Sequence, residues 1–232
     1  MEEKLLIKEI FECTRCNLSG VENRDREYYG GDGKKKIMLV FQNPGVPSEL
    51  RQRKSTLEEE VNECREGFHR YWVLGKHKET FERFFKIFDR YGLIKMDKNY
   101  IKDKTYFKDL YITDVVKCHG RTKEIKGKQP CYAWLKDEIK LKAPSLIIAF
   151  SDKTLSFFNQ FDIRPVNHNE QLRPQAAKLH GRLYKCDSFM DFYLIPSIHI
   201  SVDYFSPRDS YLKYFKEGIR NFVKFGTSSR NK

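Results

Sequence analysis

No stretch of the chain is apolar for long enough to span a bilayer, and Met1-Glu2-Glu3-Lys4 opens on charge where a secretory leader would carry its apolar segment. A cytoplasmic protein is expected, neither membrane-embedded nor secreted. Internal repeats are missing, as is any shift of composition that would mark a linker. The sequence therefore reads as one domain over 1–232, with 40% hydrophobic residues to build its core. Acidic residues are in deficit. The 44 Lys and Arg outnumber the 32 Asp and Glu, and a net charge of +12 favours a polyanionic partner, nucleic acid first and an anionic membrane surface second. Cysteine is sparse. Six in a cytosolic chain of this size point to metal or cluster ligation rather than to a disulfide framework. A phosphate loop is also missing: Tyr28-Tyr29-Gly30-Gly31-Asp32-Gly33 has no strand before it and no helix after it, so it reads as a turn.

What is present is a series of short apolar runs that stop on polar breaks. Ile37 to Phe41 has no polar alternation, which suits a strand buried on both faces, and Gln42-Asn43-Pro44-Gly45 ends it. Further strands are expected over 110–113, followed by Asp114, over 145–150, and over 192–195, followed by Pro196-Ser197-Ile198-His199. Helices are expected over 5–16, 56–64, 78–91, 130–141, 151–159 with Ser151 as cap, and 208–225. Phe81, Phe84, Phe85 and Phe88 give the third of these an apolar face for the core. Residues 161–179 show no period and read as loop. The alternation predicts an α/β fold, a three-layer α/β/α arrangement around a central four-stranded parallel sheet, in which right-handed crossovers bring every strand's carboxyl end to one edge. Ligands of such sheets bind beyond that edge, so Gln42-Asn43, Asp114 and the 197–199 turn share a crevice; for Gln42 and Asn43 alone an ordinary polar turn fits as well.

Three other features carry chemistry. Cys13-Thr14-Arg15-Cys16 lets two thiolates reach one metal or cluster, with partners to come from Cys64, Cys118, Cys131 and Cys186. Phe68, Tyr71 and Trp72 stand among basic residues, where they serve either to stack on a nucleobase or to pack against the helix that follows. The basic stretch over 121–128 reads as a solvated loop able to touch phosphates.

Taken in order, Cys13-x-x-Cys16-x-Leu18, Tyr29-Gly30-Gly31-Asp32-Gly33, Ile37 to Val40 with Gln42-x-Pro44-Gly45, Tyr111-Ile112-Thr113-x-Val115-Val116-Lys117-Cys118, Cys131, Ser145 to Ala149 and Pro196-Ser197 resemble the uracil-DNA glycosylase superfamily, most of all its iron-sulfur branch, family four. The likeness covers most of the chain. It implies a 4Fe-4S cluster held by Cys13, Cys16, Cys118 and Cys131, with zinc as the alternative because four thiolates suit either centre. Cys64 and Cys186 are left as small buried apolar residues.

The departures from that pattern shape the expected chemistry. Asn43 stands where family one carries a catalytic Asp, and Asn43-Pro44-Gly45 is similar to the thymine-mismatch and single-strand-selective branches, whose Asn holds the attacking water. An amide orients water but cannot take its proton, so leaving-group departure must drive the reaction. Gly45 replaces a family-one Tyr that blocks substituents at C5 of the pyrimidine, which leaves room there. Asp114 replaces an Asn that reads uracil. An ionised carboxylate suits the N4 amino group of cytosine, and if protonated it also donates to N3. Ile195-Pro196-Ser197 lacks the family's His. His199 either substitutes for it or plays a structural or phosphate role, and Ile198 or Ile200 either wedges into the base stack or packs in the core.

The expected protein is a monofunctional DNA glycosylase, a monomer that engages DNA and no membrane. Asn43 orients water, Gln42 and the backbone around it line the pocket, Asp114 reads the base, an aromatic among Phe68, Tyr71 and Trp72 stacks on it, and Ser197 contacts a phosphate. No motif Lys stands where it would form a Schiff base, so no strand cleavage is expected. The expected base is a 5-substituted cytosine, hydroxymethylated or glucosylated as in phage DNA. Uracil or mismatched thymine comes second. The rivals are a non-catalytic iron-sulfur DNA-binding protein and a basic zinc protein acting on RNA or a membrane surface.

Overall fold

The fold is that of a computed structural model, which describes residues 2–13, 26–42, 56–118, 131–199 and 208–226. Four strands form its parallel centre: β1 (Ile37–Phe41), β2 (Leu110–Asp114), β3 (Leu146–Phe150) and β6 (Phe192–Ser197), with every residue of the first three buried. Residues facing both ways along such strands must be apolar, which is why their sequences do not alternate. Two strands extend the sheet beyond the expected four. β4 (Ile163–Pro165) and β5 (Tyr184–Cys186) pair antiparallel with each other and onto β6, giving the order β2-β1-β3-β6-β5-β4. Each has three residues, too few to display a period, so part of the segment read as loop is strand. Another part of it forms the short helix α7 (Ala176–Leu179).

The sheet separates two apolar layers. Met38, Val40 and Tyr111 face Leu6 and Ile10 of α1 (Glu3–Phe11), Trp134 and Leu135 of α5 (Tyr132–Lys142), and Leu155 and Phe157 of α6 (Asp152–Phe158). Ile37, Leu39, Phe41 and Ile112 face Phe68 of α2 (Leu57–Phe68), the phenylalanines of α3 (Lys78–Arg90), and Phe215 and Ile219 of α8 (Arg208–Gly226). Thr56 and Glu59 close a reciprocal capping box at the start of α2, and Ser151 accepts from the Thr154 amide at the start of α6. The aromatic segment after α2 is helical rather than a loop: His69–Lys76 continues as a π-helical stretch, until Gly75 leaves helical geometry at φ −88° and ψ −134°.

The glycine-rich segment expected to be a turn lies along the outer side of β2. Arg26 bridges to Cys118, Gly30 bridges to Ile112, and the Ile112 amide donates to Gly30 O at 2.8 Å. Gly31, at φ +127°, comes so close that a Cβ would sit 2.2 Å from Leu110 O, which only glycine permits. That apposition buries Tyr28 and Tyr29 and carries Glu27 inward.

Candidate active site

The carboxyl ends of β2, β1, β3 and β6 lie along one edge, in that order. Phe41 pairs with Asp114 across β1 and β2, and Phe150 pairs with Ser197 across β3 and β6. The Val116 amide donates to Gln42 O at 3.1 Å, which ties the half-buried Gln42 to the end of β2. Strands lie about 4.8 Å apart, so Asp114 and Gln42 are neighbours, while Ser197 stands two strands beyond β1. Asn43, Gly45, Cys16, Ile200 and the basic stretch over 121–128 lie outside the described residues.

Asp114 is 3% exposed, on the same face of β2 as Ile112. Burial raises its carboxyl well above the usual carboxylate range; the Glu27 charge adds to that, and Lys117 and a hydrogen bond to Tyr29 oppose it. Its Oδ2 is buried without a hydrogen-bond partner among the described residues. Tyr29 donates its hydroxyl proton to Glu27 Oε2, and Arg65 of α2 donates to Tyr29 O at 2.7 Å. Periodicity did not single out Glu27 or Tyr29, because they belong to no regular element.

A second group faces the end of β1. The half-buried His199 sets its ring edge-on to Phe41 at 6.2 Å and to Trp72 at 5.8 Å, while Trp72 stacks on His77 at 5.0 Å. Burial, aided by the His77 charge, lowers the His199 pKa to about 4, so its imidazole is neutral at physiological pH. The aromatic trio separates. Tyr71 is 42% exposed and Trp72 half-buried, whereas Phe68 is 2% exposed among Tyr29, Phe41, Phe81 and Phe107. Phe68 therefore belongs to the core and presents no face for a base. Ser197 departs from its expected place too: it is fully buried and its hydroxyl donates to Ile198 O at 3.2 Å, so no group of it faces a phosphate. Ile198 is half-buried, and its amide donates to His180 Nδ1 at 3.4 Å.

Three of the five described cysteines, Cys13, Cys118 and Cys131, gather toward one corner. Cys118 and Cys131 are buried and hydrogen-bonded to each other, and Arg26, bridged to Cys118, donates to Cys13 O. The Cys118 contact lowers the Cys131 thiol to about 6 against the effect of burial, helped by a backbone hydrogen bond at Lys117 and by the Lys117 charge. A thiolate-favouring pair of this kind fits a soft metal centre. Among the described residues no three His, Cys, Asp or Glu side chains are arranged to hold an ion. Cys64 and Cys186 are fully buried elsewhere in the core.

Behind this corner a network of buried charge spans the other face of β2. Lys117 donates to Glu138 Oε2 at 2.6 Å, both side chains being shielded from solvent, and Thr113 donates to the same carboxylate at 2.9 Å. The Tyr111 hydroxyl lies within hydrogen-bond distance of Glu138 and of Tyr28, which donates to Glu3.

The model of the uracil DNA glycosylase superfamily matches residues 28–222, from the buried tyrosines to the last turns of α8. The chain belongs to this superfamily. It is a family of DNA glycosylases, hydrolases of N-glycosyl bonds, so DNA is the partner and the edge built from β2, β1, β3 and β6 is where a base is expected to be met. A search of curated sequences returned no match. Among the described residues no helix is long and apolar enough to cross a membrane.

Proposed function

We propose that this superfamily member is a monofunctional glycosylase for cytosine carrying a substituent at C5, which would suit it to act on modified foreign DNA. The observation that carries this reading is Asp114, a buried, protonation-favoured carboxyl at the end of β2 with an oxygen that has no partner among the described residues, where the resemblance implies an Asn that reads uracil. Uracil presents an acceptor at C4 and cytosine an amino donor, and a carboxyl oxygen that bears no proton complements the donor.

In this reading the positively charged surface grips the backbone and one nucleotide is extruded, with Ile198 as the wedge. Trp72 and Tyr71 give the base an aromatic wall, and Gly45 leaves space for the C5 group. The C1′–N1 bond breaks with its electron pair passing to the base. The neutral His199 offers a hydrogen bond beside the departing ring, and a water oriented by Asn43 bonds to C1′ and gives up its proton to the departed base anion, leaving an abasic site and the free base. Cys13, Cys16, Cys118 and Cys131 would hold a 4Fe-4S cluster, which would supply a structural cross-link rather than chemistry on the base. Lys117 cannot form a Schiff base with the sugar while it is buried against Glu138.

Duplexes bearing uracil, mismatched thymine, hypoxanthine and 5-modified cytosines, scored by alkaline cleavage of the product, test the reading. Excision of the modified cytosines is expected. Excision of uracil alone would reject it, and no excision of any base would favour a DNA-binding protein without catalysis. Asn43→Ala is expected to lower turnover by about 10²-fold or more with DNA affinity nearly unchanged.

A further inference from the structure

A cleft of about 460 Å³ opens where the segment after β4 and the turn after α7 meet α8. That volume is in the range that holds a small ligand. The cleft backs onto the end of β6. The Gly181 amide donates to Pro196 O at 3.0 Å, and the Ile198 amide donates to His180 Nδ1 at 3.4 Å, so one wall is tied to the carboxyl edge of the sheet. Gly181, at φ +75°, lets α8 form the other wall: a Cβ there would sit 2.1 Å from Tyr214 O.

The lining has the parts of a nucleotide site. Tyr214 is 56% exposed and meets the His180 ring edge-on at 6.3 Å, an arrangement that leaves the phenol ring able to stack on a base. Asn167 and Asn221 each bring a donor and an acceptor, the pair of groups that a base edge requires. Lys178, on the exposed side of α7, and the half-buried Arg182 bring positive charge for phosphate. The acids are engaged already: Arg182 donates to Glu170 at 2.7 Å, and Glu217, the carboxylate of the lining, accepts from Arg220.

We propose that this cleft is a second nucleotide site, which holds an unpaired nucleotide of the strand whose extruded base is met at the other end of the same edge. Its base stacks on Tyr214 and presents its edge to Asn167 and Asn221, and its phosphate lies by Lys178 and Arg182. The end of β6 is three strand spacings from the end of β2, about 14 Å, a distance that a strand stacked at about 3.4 Å per nucleotide covers in about four. A base that meets the two amides cannot be paired at the same time, so the DNA is single-stranded on one side of the extruded nucleotide. The inference rests on the superfamily's engagement of DNA at this edge and not on which base is excised.

Fluorescence anisotropy tests it without turnover. The probes are duplexes with a stable abasic analogue at the target position, extended beyond it as single strand by one nucleotide at a time, on either side. On one side a step of roughly tenfold in affinity is expected within about four nucleotides; Tyr214→Ala should abolish it, Tyr214→Phe should keep it, and a complement to the extension should remove it. If Tyr214→Ala fails to fold, Asn221→Ala reads the same cleft and should shrink the step. No step on either side would overturn the inference. So would a step that Lys178→Glu removes and Tyr214→Ala leaves, which is a phosphate contact alone. Free dAMP or dCMP that perturbs Tyr214 in a protein showing no step would make the cleft a site for free nucleotide and overturn it as well. A step in a protein that excises no base would leave the cleft standing and reject the glycosylase reading. Excision of modified cytosine by a protein without the step would do the reverse.

Discussion

Two residues at the carboxyl edge carry measurable costs. His199 titrates near 4 rather than at its ordinary 6.5, so between those values the unfolded chain takes up a proton that the folded chain refuses. The stability this histidine contributes is therefore fully present above about pH 6.5 and is lost as pH drops towards 4; His69 and His168, also lowered by burial, add in the same direction. Replacing His199 by Gln should flatten the acid side of a denaturation series by roughly 1–3 kcal/mol between pH 7 and 4, after allowance for its partial exposure. Ser151 is the other case. At φ +96° and ψ 159° it occupies a region that is essentially glycine's, while its side chain caps α6. Ser151→Gly removes the strain, about 1–3 kcal/mol, and loses only a few tenths of the cap, so the midpoint of urea unfolding should rise. A midpoint that falls would show the hydroxyl to be worth more than the backbone relief.

At the scale of elements, β2 has opposite requirements on its two faces. Towards α2 it places Asp114; towards α5 it places Thr113 against the buried Lys117 and Glu138 pair. Glu138→Ala would leave the Lys117 ammonium buried without its carboxylate, and a loss of about 3–5 kcal/mol is expected by chemical denaturation. Glu138→Gln keeps the shape and should lose less. The strand itself was legible as Leu110 to Thr113, because apolar runs in a covered parallel sheet announce themselves. The phenylalanine face of α3 was legible from its spacing, and Ser151 as a cap from its position. The ionic network was not, since pairing between Thr113, Lys117 and Glu138 depends on how α5 lies against β2. The additional strands β4 and β5 were hidden by their brevity, and the π-helical stretch by an aromatic composition that suits a loop equally well. Asp114, Gln42 and Pro196-Ser197 stand along the edge that the strand order predicts, whereas Phe68 and Ser197 are buried because α2 runs on to Phe68 and β6 to Ser197, each beyond the bounds expected from the sequence.

For the molecule as a whole, the charge of +12 is the property that DNA meets first. Affinity for undamaged duplex should fall steeply with added salt, with a slope of log K against log salt of about −3 or steeper if at least four phosphates are contacted. A slope near zero would show that the positive charge is not what grips the backbone. The two borders of the sheet have a further consequence. On one side the 26–30 segment occupies β2 with bridges to Ile112 and Cys118, and on the other β4 is three residues long and ends on Pro165, which has no amide proton to give. Among the described residues neither border offers a second molecule a run of open backbone to pair with, which disfavours growth of the sheet by edge-to-edge addition.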